Sequence, residues 1–514
     1  MKPIRLMAGF FTVGVWTLAS RVLGFVRDIL IVAFLGSGPI AEAFLIAFAL
    51  PNMFRRFFAE GAFNMAFVPL FSKKLEADEN PQGFAQDAFS GLATVLIAFT
   101  VLALLAMPWL VLAMASGFAD DGRFDLAVTF GRIAFPYILL ISLAALLSGL
   151  LNATGRFAAA AAAPVLLNVL FITTITLAHR LGWPLGLTLA WTVPFAGIAQ
   201  LALVWFAARR AGFTLGLSRP RLTPDMKRLA IIAAPAALAG GVVQVNLLIG
   251  RQVASFFDGA IVWLSVADRL YQLPLGVVGI AIGVVLLPDL SRRLRAEDTT
   301  GGRDAFNRAG EISLALTVPA AVALCVIPVP LISVLFQRGA FDASDTQATA
   351  LAVAIYGLGL PAFVLQKVLQ PLFFAREDTK TPFYYALVSM VVNAVVAIGL
   401  APFIGYLAAA IGTSLAAWAM VFQLWRGSRP MGEAAELDAR FIRRCGRIIL
   451  ASLIMGAALW TGAWVLGELL VTPQIRYAAL AVLVLSGIAT YFIAAHVLGA
   501  LRLGEIKQTL RRKR

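Results

Sequence analysis

Ser20-Arg21-Val22-Leu23-Gly24-Phe25-Val26-Arg27-Asp28 decides the fold, because it sets three charges where a membrane span belongs. An apolar run from about Met7 to Ala19 precedes it, and Ile29-Leu30-Ile31-Val32-Ala33-Phe34-Leu35 follows it. Neither flank alone reaches the roughly 20 residues that cross a bilayer, but together they do. Arg21 and Arg27 are thereby placed within the membrane rather than at its edges. An arginine near the bilayer centre costs at least ~2.5–3.5 kcal/mol, so it faces a polar cavity or a partner. The blander alternative is a long side chain snorkelling to the interface.

The rest of the chain agrees with a membrane reading. It has 514 residues, 61% of them hydrophobic, and a mean hydropathy of +0.88, which describes an all-α polytopic membrane protein rather than a soluble enzyme. Met1-Lys2-Pro3-Ile4-Arg5 leads straight into the first apolar run, without the cleavage site of a signal peptide. Cys325 and Cys445 fall in or beside expected spans, so neither a disulfide framework nor a metal site is indicated. His179 and His496 are too few and too far apart for a catalytic or metal cluster. The net charge of +15 raises nucleic acid as a partner, but its distribution argues against that. The basic residues sit in short loops on alternate sides of the spans, which is an orientation signal.

About fourteen spans are expected, near residues 9–35, 38–66, 86–115, 126–150, 158–179, 185–208, 228–256, 262–290, 309–336, 346–373, 382–401, 404–425, 444–469 and 475–500. One side collects Lys2 and Arg5, Arg55 and Arg56, Lys73 and Lys74, the loops near 209–228 and 292–308, the run Arg426 to Arg447, and the tail Arg502 to Arg514. The other holds only Arg123, Arg180, Arg338 and Arg476, with several acidic neighbours. The positive-inside rule makes the first side cytoplasmic and puts both termini there. The large basic loops read as solvated linkers, or as contacts with anionic lipid head groups.

An internal repeat divides the chain. Pro136, Thr154 and Asn168 recur at one offset as Pro361, Thr379 and Asn393. Leu50-Pro51 echoes Leu273-Pro274, and Pro69-Leu70-Phe71-Ser72-Lys73-Lys74-Leu75 echoes Pro288-Asp289-Leu290-Ser291-Arg292-Arg293-Leu294. Matches in the same order indicate duplication of a six-span unit, with basic loops on the same side in both copies. Two lobes follow, residues 1–225 and 226–430, with spans 13 and 14 and the basic tail in 431–514. Parallel repeats of this kind build transporters that bind cargo near the membrane midplane.

The charges within the spans then state what the cargo is. Span 1 offers Arg21, Arg27 and Asp28; span 2 offers Glu42, then Arg55, Arg56 and Glu60. Span 8 offers Asp268-Arg269, span 7 Arg251 and span 10 Lys367. Arginine makes planar, bidentate contacts with phosphate and carboxylate, so a cavity lined this way favours a polyanion. Asp28, Glu42 and Asp268 would lower the cost of holding the arginines unliganded. The competing readings are a structural ion pair at Asp268-Arg269, topogenic charge at Arg55-Arg56, and a helix-ending turn at Glu60-Gly61. On an ideal helix Arg21 and Asp28 share a face while Arg27 points roughly 120° away. For both arginines to meet one cargo, span 1 must bend, with Gly24 as the hinge, or the cavity must be wide. Gln244, Asn246 and Asn393 would bind a cation or pack helices. No catalytic triad, histidine pair or nucleotide-binding loop is present in the sequence, so catalysis and ATP-driven transport are not expected. No cofactor is expected; an ion gradient or the membrane potential is the remaining drive, at ~2.3 kcal/mol per charge per 100 mV.

The segment Ser20 to Asp28 resembles the MurJ (MviN) family of bacterial lipid II flippases, as does Leu50-Pro51-Asn52-Met53-Phe54-Arg55-Arg56-Phe57-Phe58-Ala59-Glu60-Gly61-Ala62-Phe63. Ala267-Asp268-Arg269-Leu270, Leu335-Phe336-Gln337-Arg338-Gly339-Ala340-Phe341 and the Phe135-to-Leu150 span ending in Leu151-Asn152 carry the same likeness, which runs the length of the chain. The resemblance implies the exporter-superfamily fold of multidrug and polysaccharide transporters, two six-helix lobes in a V plus two C-terminal helices. It implies a hydrophobic groove at that helix pair for a lipid tail. The implied activity is transfer of lipid II, the undecaprenyl-diphosphate-linked disaccharide pentapeptide, from the inner to the outer leaflet of the plasma membrane. The family's cavity arginines fall on Arg21, Arg27 and Arg269, and its cytoplasmic-side pair on Arg55 and Arg56. Where several members have Asp in span 2, this chain has Glu42, one methylene longer. Lipid II and membrane lipids are the implied partners, with cell-wall synthesis proteins as further candidates.

Rival readings differ in what they demand of the residues. Another anionic polyprenyl-linked glycan would use the same arginines. A cationic-drug exporter calls for acidic residues in the first lobe, and a glycosyl transferase for acidic or histidine residues on a sizeable outer loop. A non-transporting wall-assembly scaffold would tolerate loss of the intramembrane arginines.

Overall fold

The computed structural model of the chain describes residues 6–55 and 62–500, without the side chains of residues 6–10, 62, 63, 65, 234–243, 245, 277–285 and 287. Arg56 and Glu60 lie outside the described residues, as does the basic tail Arg502 to Arg514. The described chain is helical apart from its connections, as a bilayer demands: with no water in the hydrocarbon, each backbone polar group must be satisfied within its own segment. It packs as two compact units, Met1–Val262 with Gly339–Phe341, and Trp263–Arg338 with Asp342–Arg514.

The first unit holds α1 (Leu6–Leu35), α2 (Pro39–Arg55), α3 (Ala62–Glu76), α4 (Pro81–Leu105) and α5 (Met107–Met114). It continues through α6 (Gly122–Ala134), α7 (Tyr137–Ala153), α8 (Ala158–Leu181), α9 (Leu185–Arg210) and α10 (Pro224–Ala254). Side-chain caps start several of these: Asn80 accepts from Gly83 N, Asp121 from Arg123 N, and Thr223, just before Pro224, from Met226 N. α1 lies along α8, α2 along α6, and α10 against α3, so the helix that opens the second repeat packs with the first unit. Phe44, Phe67, Phe71, Phe135, Tyr137 and Phe171 fill its core. The Gly339–Phe341 segment docks on the end of α1, where Ala340 N donates to Ala33 O at 2.8 Å. Two glycines make that approach possible. Gly36 and Gly339 both have positive φ, and a Cβ on either would sit 2.6 or 2.2 Å from a backbone carbonyl oxygen.

The second unit contains α11 (Ala260–Arg295, from Trp263 on), α12 (Thr299–Val326), α13 (Pro328–Phe336), α14 (Ala343–Phe374) and α15 (Lys380–Ile404). It ends with α16 (Leu407–Ser428), α17 (Ala439–Val465), α18 (Gly467–Val471) and α19 (Arg476–Val497). Asp342 and Asp345 form a reciprocal capping box at the start of α14. The C-terminal helices pack on α12: Ile448, Met455 and Leu459 of α17 and Leu483 and Tyr491 of α19 share one buried cluster with Ala315. Tyr491 Oη donates to the Ala315 carbonyl at 2.6 Å, so this pair is joined to the second repeat rather than set apart from it.

Among the described residues ten helical segments are long and apolar enough to cross a membrane. The other four expected spans fall on α1, α2 with α3, α10 and α11, which makes the arrangement consistent with fourteen. Large apolar side chains face outward on both units, including Phe11, Trp109, Phe195, Phe403, Trp460 and Trp464. That is the surface of a protein whose solvent is lipid.

Candidate functional site

The stripe that faces α8 from α1 is Ser20, Gly24 and Arg27, spaced i, i+4, i+7 and therefore on one side of the helix. Asn168 of α8, 5% exposed, sits against it. Its Oδ1 accepts from Arg27 Nη1 at 3.0 Å, and its Nδ2 donates to the Ser20 carbonyl at 3.0 Å. Gly24 lies against the same amide, where a Cβ would stand 3.5 Å from Asn168 Nδ2 in ordinary contact. α1 runs through Gly24 as a single helical segment.

Arg27 is held from three directions. Asp28 Oδ1 accepts from its Nε at 2.9 Å and its Nη2 at 2.7 Å, and the guanidinium lies 5.6 Å from the Phe171 ring and 5.9 Å from Phe48. Its side chain keeps 11% exposure. Hydrogen bonds to a charged group are worth about 1.5–3 kcal/mol each, and aromatic faces add ~0.5–1 kcal/mol, which offsets the cost of an arginine at this depth. Arg21 is different. It is exposed, and among the described residues no carboxylate pairs with it. Six residues apart on one helix thus lie one cation fastened by a carboxylate and one without a carboxylate partner among the described residues.

Glu42, expected to balance those arginines, instead meets Arg123 of α6. Glu42 is 1% exposed; its Oε2 accepts from Arg123 Nη1 at 2.8 Å and its Oε1 from Ile261 N at 3.2 Å. Arg123 also binds Asp121 through Nε at 2.7 Å and Asp258 through Nη1 at 3.1 Å, with Phe118 beneath it at 4.4 Å. The Arg123 guanidinium holds the Asp121 carboxyl below the usual carboxylate range. Nearby, Gly117 N donates to Ser255 Oγ at 2.9 Å and Ser116 N to Gln252 Oε1 at 2.7 Å, tying the α5–α6 loop to the end of α10. Arg123 reads in sequence only as a loop charge in Asp120-Asp121-Gly122-Arg123, and nothing there names Glu42 as its partner. Arg55 lies half-buried at the end of α2.

In the second unit Asp268 and Arg269 are both half-buried on α11. Gln272 Nε2 donates to Asp268, and Tyr271 packs against Tyr356 and Phe363 at 5.0 and 5.4 Å. Lys367 of α14 is exposed. Asn393, which stands at the sequence offset from Asn168 expected of a repeat, is 1% exposed and lies beside Gly412 of α16. Between α12 and α17 is a shallow apolar groove open at the surface, lined by Val322, Cys325, Val326, Leu453, Gly456 and Trp460.

Residues 31–483 match the family described as lipid II flippase MurJ. The chain belongs to that family. A probable lipid II flippase MurJ of Rhizobium tropici is 44% identical over 99% of this chain and 98% of its own length. A solved structure of lipid II flippase MurJ in an inward closed conformation matches with a TM-score of 0.78 at 24% identity, covering 94% of this chain and 98% of that one. A multidrug resistance transporter of the MATE family, inward-facing, matches at a TM-score of 0.66 and 15% identity over 80% and 95%. These two share the fold, and the MurJ relatives share the sequence. The MurJ family reading thus rests on the whole chain, while the arginine cluster in α1 is this chain's own geometry.

Proposed function

We propose that this protein carries lipid II across the plasma membrane, from the inner to the outer leaflet, as a transporter and not as a catalyst. The observation that carries the reading is Arg21: an exposed arginine on a membrane helix, with no carboxylate partner among the described residues, one stretch away from an arginine already fastened by Asp28 and Asn168. A cation left unpaired at that depth is costly unless an anion visits it. In this reading Arg21 and Arg27 take the diphosphate, and Arg269 is a further head-group contact. Asp268 and Asp28 moderate the charge, Gly24 is the point where α1 flexes, and Arg55, Arg56 and Glu60 serve the cytoplasmic entrance. The shallow apolar groove between α12 and α17 suits a polyprenyl tail, which has no polar group to satisfy. Both termini face the cytoplasm, by the sidedness of the basic loops. Coupling to an ion gradient or to the membrane potential follows from moving a charged head group. Other membrane lipids and cell-wall synthesis proteins are further proposed partners.

The test is lipid II exposure at the outer surface of flippase-depleted cells that express the full chain, with and without a membrane potential. Exposure restored by the wild type and abolished in Arg21→Ala, at equal membrane insertion, supports the reading. Wild-type protein that inserts but exposes no lipid II overturns it, and normal exposure with Arg21→Ala removes the cationic-site argument.

A further inference from the structure

Asn168 does something that no charge in the site does: one amide engages α1 both before and after Gly24. Its Oδ1 accepts from Arg27 Nη1, and its Nδ2 donates to the Ser20 carbonyl, the residue that precedes Arg21. The orientation is fixed by chemistry, since a guanidinium only donates and a carbonyl only accepts. The Ser20 carbonyl would ordinarily be spent within the helix on the N–H of Gly24, four residues on, so a side chain competing for it acts at the locus where a helix bends most easily. Ser20 Oγ lies 3.4 Å from the same Nδ2, and Gly24 is in contact with the amide. Asn168 itself is 5% exposed, and its neighbours in Ala163-Pro164-Val165-Leu166-Leu167 and Val169-Leu170-Phe171 are apolar. A buried amide in such a run is costly unless both of its ends are satisfied. Here the partners that satisfy it are the arginine segment of α1.

We propose that Asn168 is a positioning residue for head-group binding: it sets the direction of the Arg27 guanidinium and the orientation of the helical turn that bears Arg21, so that an anionic head group finds both. The inference rests on the reading of Arg21 and Arg27 as diphosphate ligands. Asn168 touches no substrate in this account. It acts through Arg27 and through the backbone at Ser20. An amide suits that task better than a carboxylate, because it holds Arg27 without neutralising it and leaves the positive charge available to the cargo. A carboxylate at this position would also repel the Ser20 carbonyl and compete with the diphosphate for Arg27.

Stability and binding therefore separate in a way that a purely structural role would not produce. Full-length wild type, Asn168→Ala, Asn168→Asp, Asn168→Gln and Arg27→Ala are reconstituted in nanodiscs, and their thermal midpoints and affinities for lipid II are measured. Asn168→Ala is expected to weaken binding about tenfold, the loss of one hydrogen bond to a charged group. Asn168→Asp is expected to weaken it further, about thirtyfold or more, while melting no lower than the alanine variant because its carboxylate pairs with Arg27. Asn168→Gln, which keeps the amide, recovers part of the alanine loss. Affinity that follows stability, with alanine weaker than aspartate, overturns the proposal, and so does wild-type affinity in both variants. Should the alanine variant fail to accumulate, aspartate against wild type decides with the same sign. Arg27→Ala keeps the two claims apart: unchanged binding in that variant sinks the head-group reading, whereas weakened binding there beside wild-type binding in the Asn168 variants sinks only the role of Asn168.

Discussion

Two arginines of the first unit, Arg27 on α1 and Arg123 on α6, answer the same problem in opposite ways. Both hold a guanidinium where water is scarce, and both lie near aromatic rings. Arg123 is surrounded by acid: Glu42, Asp121 and Asp258 all reach it. Arg27 has one carboxylate, Asp28, and is otherwise held by the neutral amide of Asn168, while Arg21 nearby adds a second cation. The Arg123 network is over-neutralised and closes on itself, binding α2, α6 and the backbone at Ile261 together. Among the described residues the α1 cluster carries spare positive charge. Closed networks hold a structure together, whereas spare charge within a membrane has to be used by something that comes and goes.

Substitutions can break this contrast. Arg27→Ala should have a large functional effect, a loss of lipid II exposure of about a hundredfold or more at equal membrane insertion, with a smaller fall in thermal midpoint than Arg123→Ala because Asp28 keeps 21% exposure whereas Glu42 keeps 1%. Comparable exposure at equal expression would make the two arginines equivalent after all. Arg123→Ala should behave in the opposite sense. Leaving Glu42 buried without its partner should destabilise the protein by about 3–5 kcal/mol, seen as a lowered midpoint, and any loss of transport should track the amount of folded protein. Replacing both partners, Glu42→Gln with Arg123→Met, should recover much of that stability, because no buried charge is left unpaired. Failure to recover would mean that the network is held by Asp121 and Asp258 more than by Glu42.

The smallest effect concerns acid. Asp121, Asp342 and Asp378 lie outside the membrane spans, and all three carboxyls are held below the usual range. The causes are the hydrogen bond from Arg123, the hydroxyl of Ser344 and the backbone N–H of Thr381, respectively. A depressed carboxyl stabilises the fold above its unfolded value of ~3.9 and loses that contribution as pH falls through its lowered folded value. The thermal midpoint should therefore be flat from neutral pH to about 5 and decline below about 4. Asp121→Asn should remove part of that decline, and a decline that is identical in the variant would place the acid sensitivity elsewhere.

Much of the fold was legible because a bilayer leaves few choices. Long apolar runs must be helices, and the span positions follow from that constraint. The family was legible too, through strings such as Leu335 to Phe341, whose Gly339 proves to be a contact with the carbonyl of Ala33 that no side chain would allow. What stayed hidden were the partners. The i, i+4, i+7 stripe of Ser20, Gly24 and Arg27 can be read off a helical wheel, but nothing in the wheel says that it faces Asn168, 141 residues beyond Arg27. Glu42 looked like a counter-charge for α1, yet it meets Arg123, 81 residues on, in a segment that reads as a loop.

By itself, the sequence determined that this protein is a membrane helix bundle, that it belongs with the lipid II flippases, and that Arg21 and Arg27 lie in one long apolar helix. Those properties depend on local composition and on spacing along one chain segment. Only the tertiary structure decided which arginine is fastened and which has no carboxylate partner among the described residues. That depends on which helices lie side by side, and ion pairs and amide bonds act over about 3 Å, a range that sequence distance does not report.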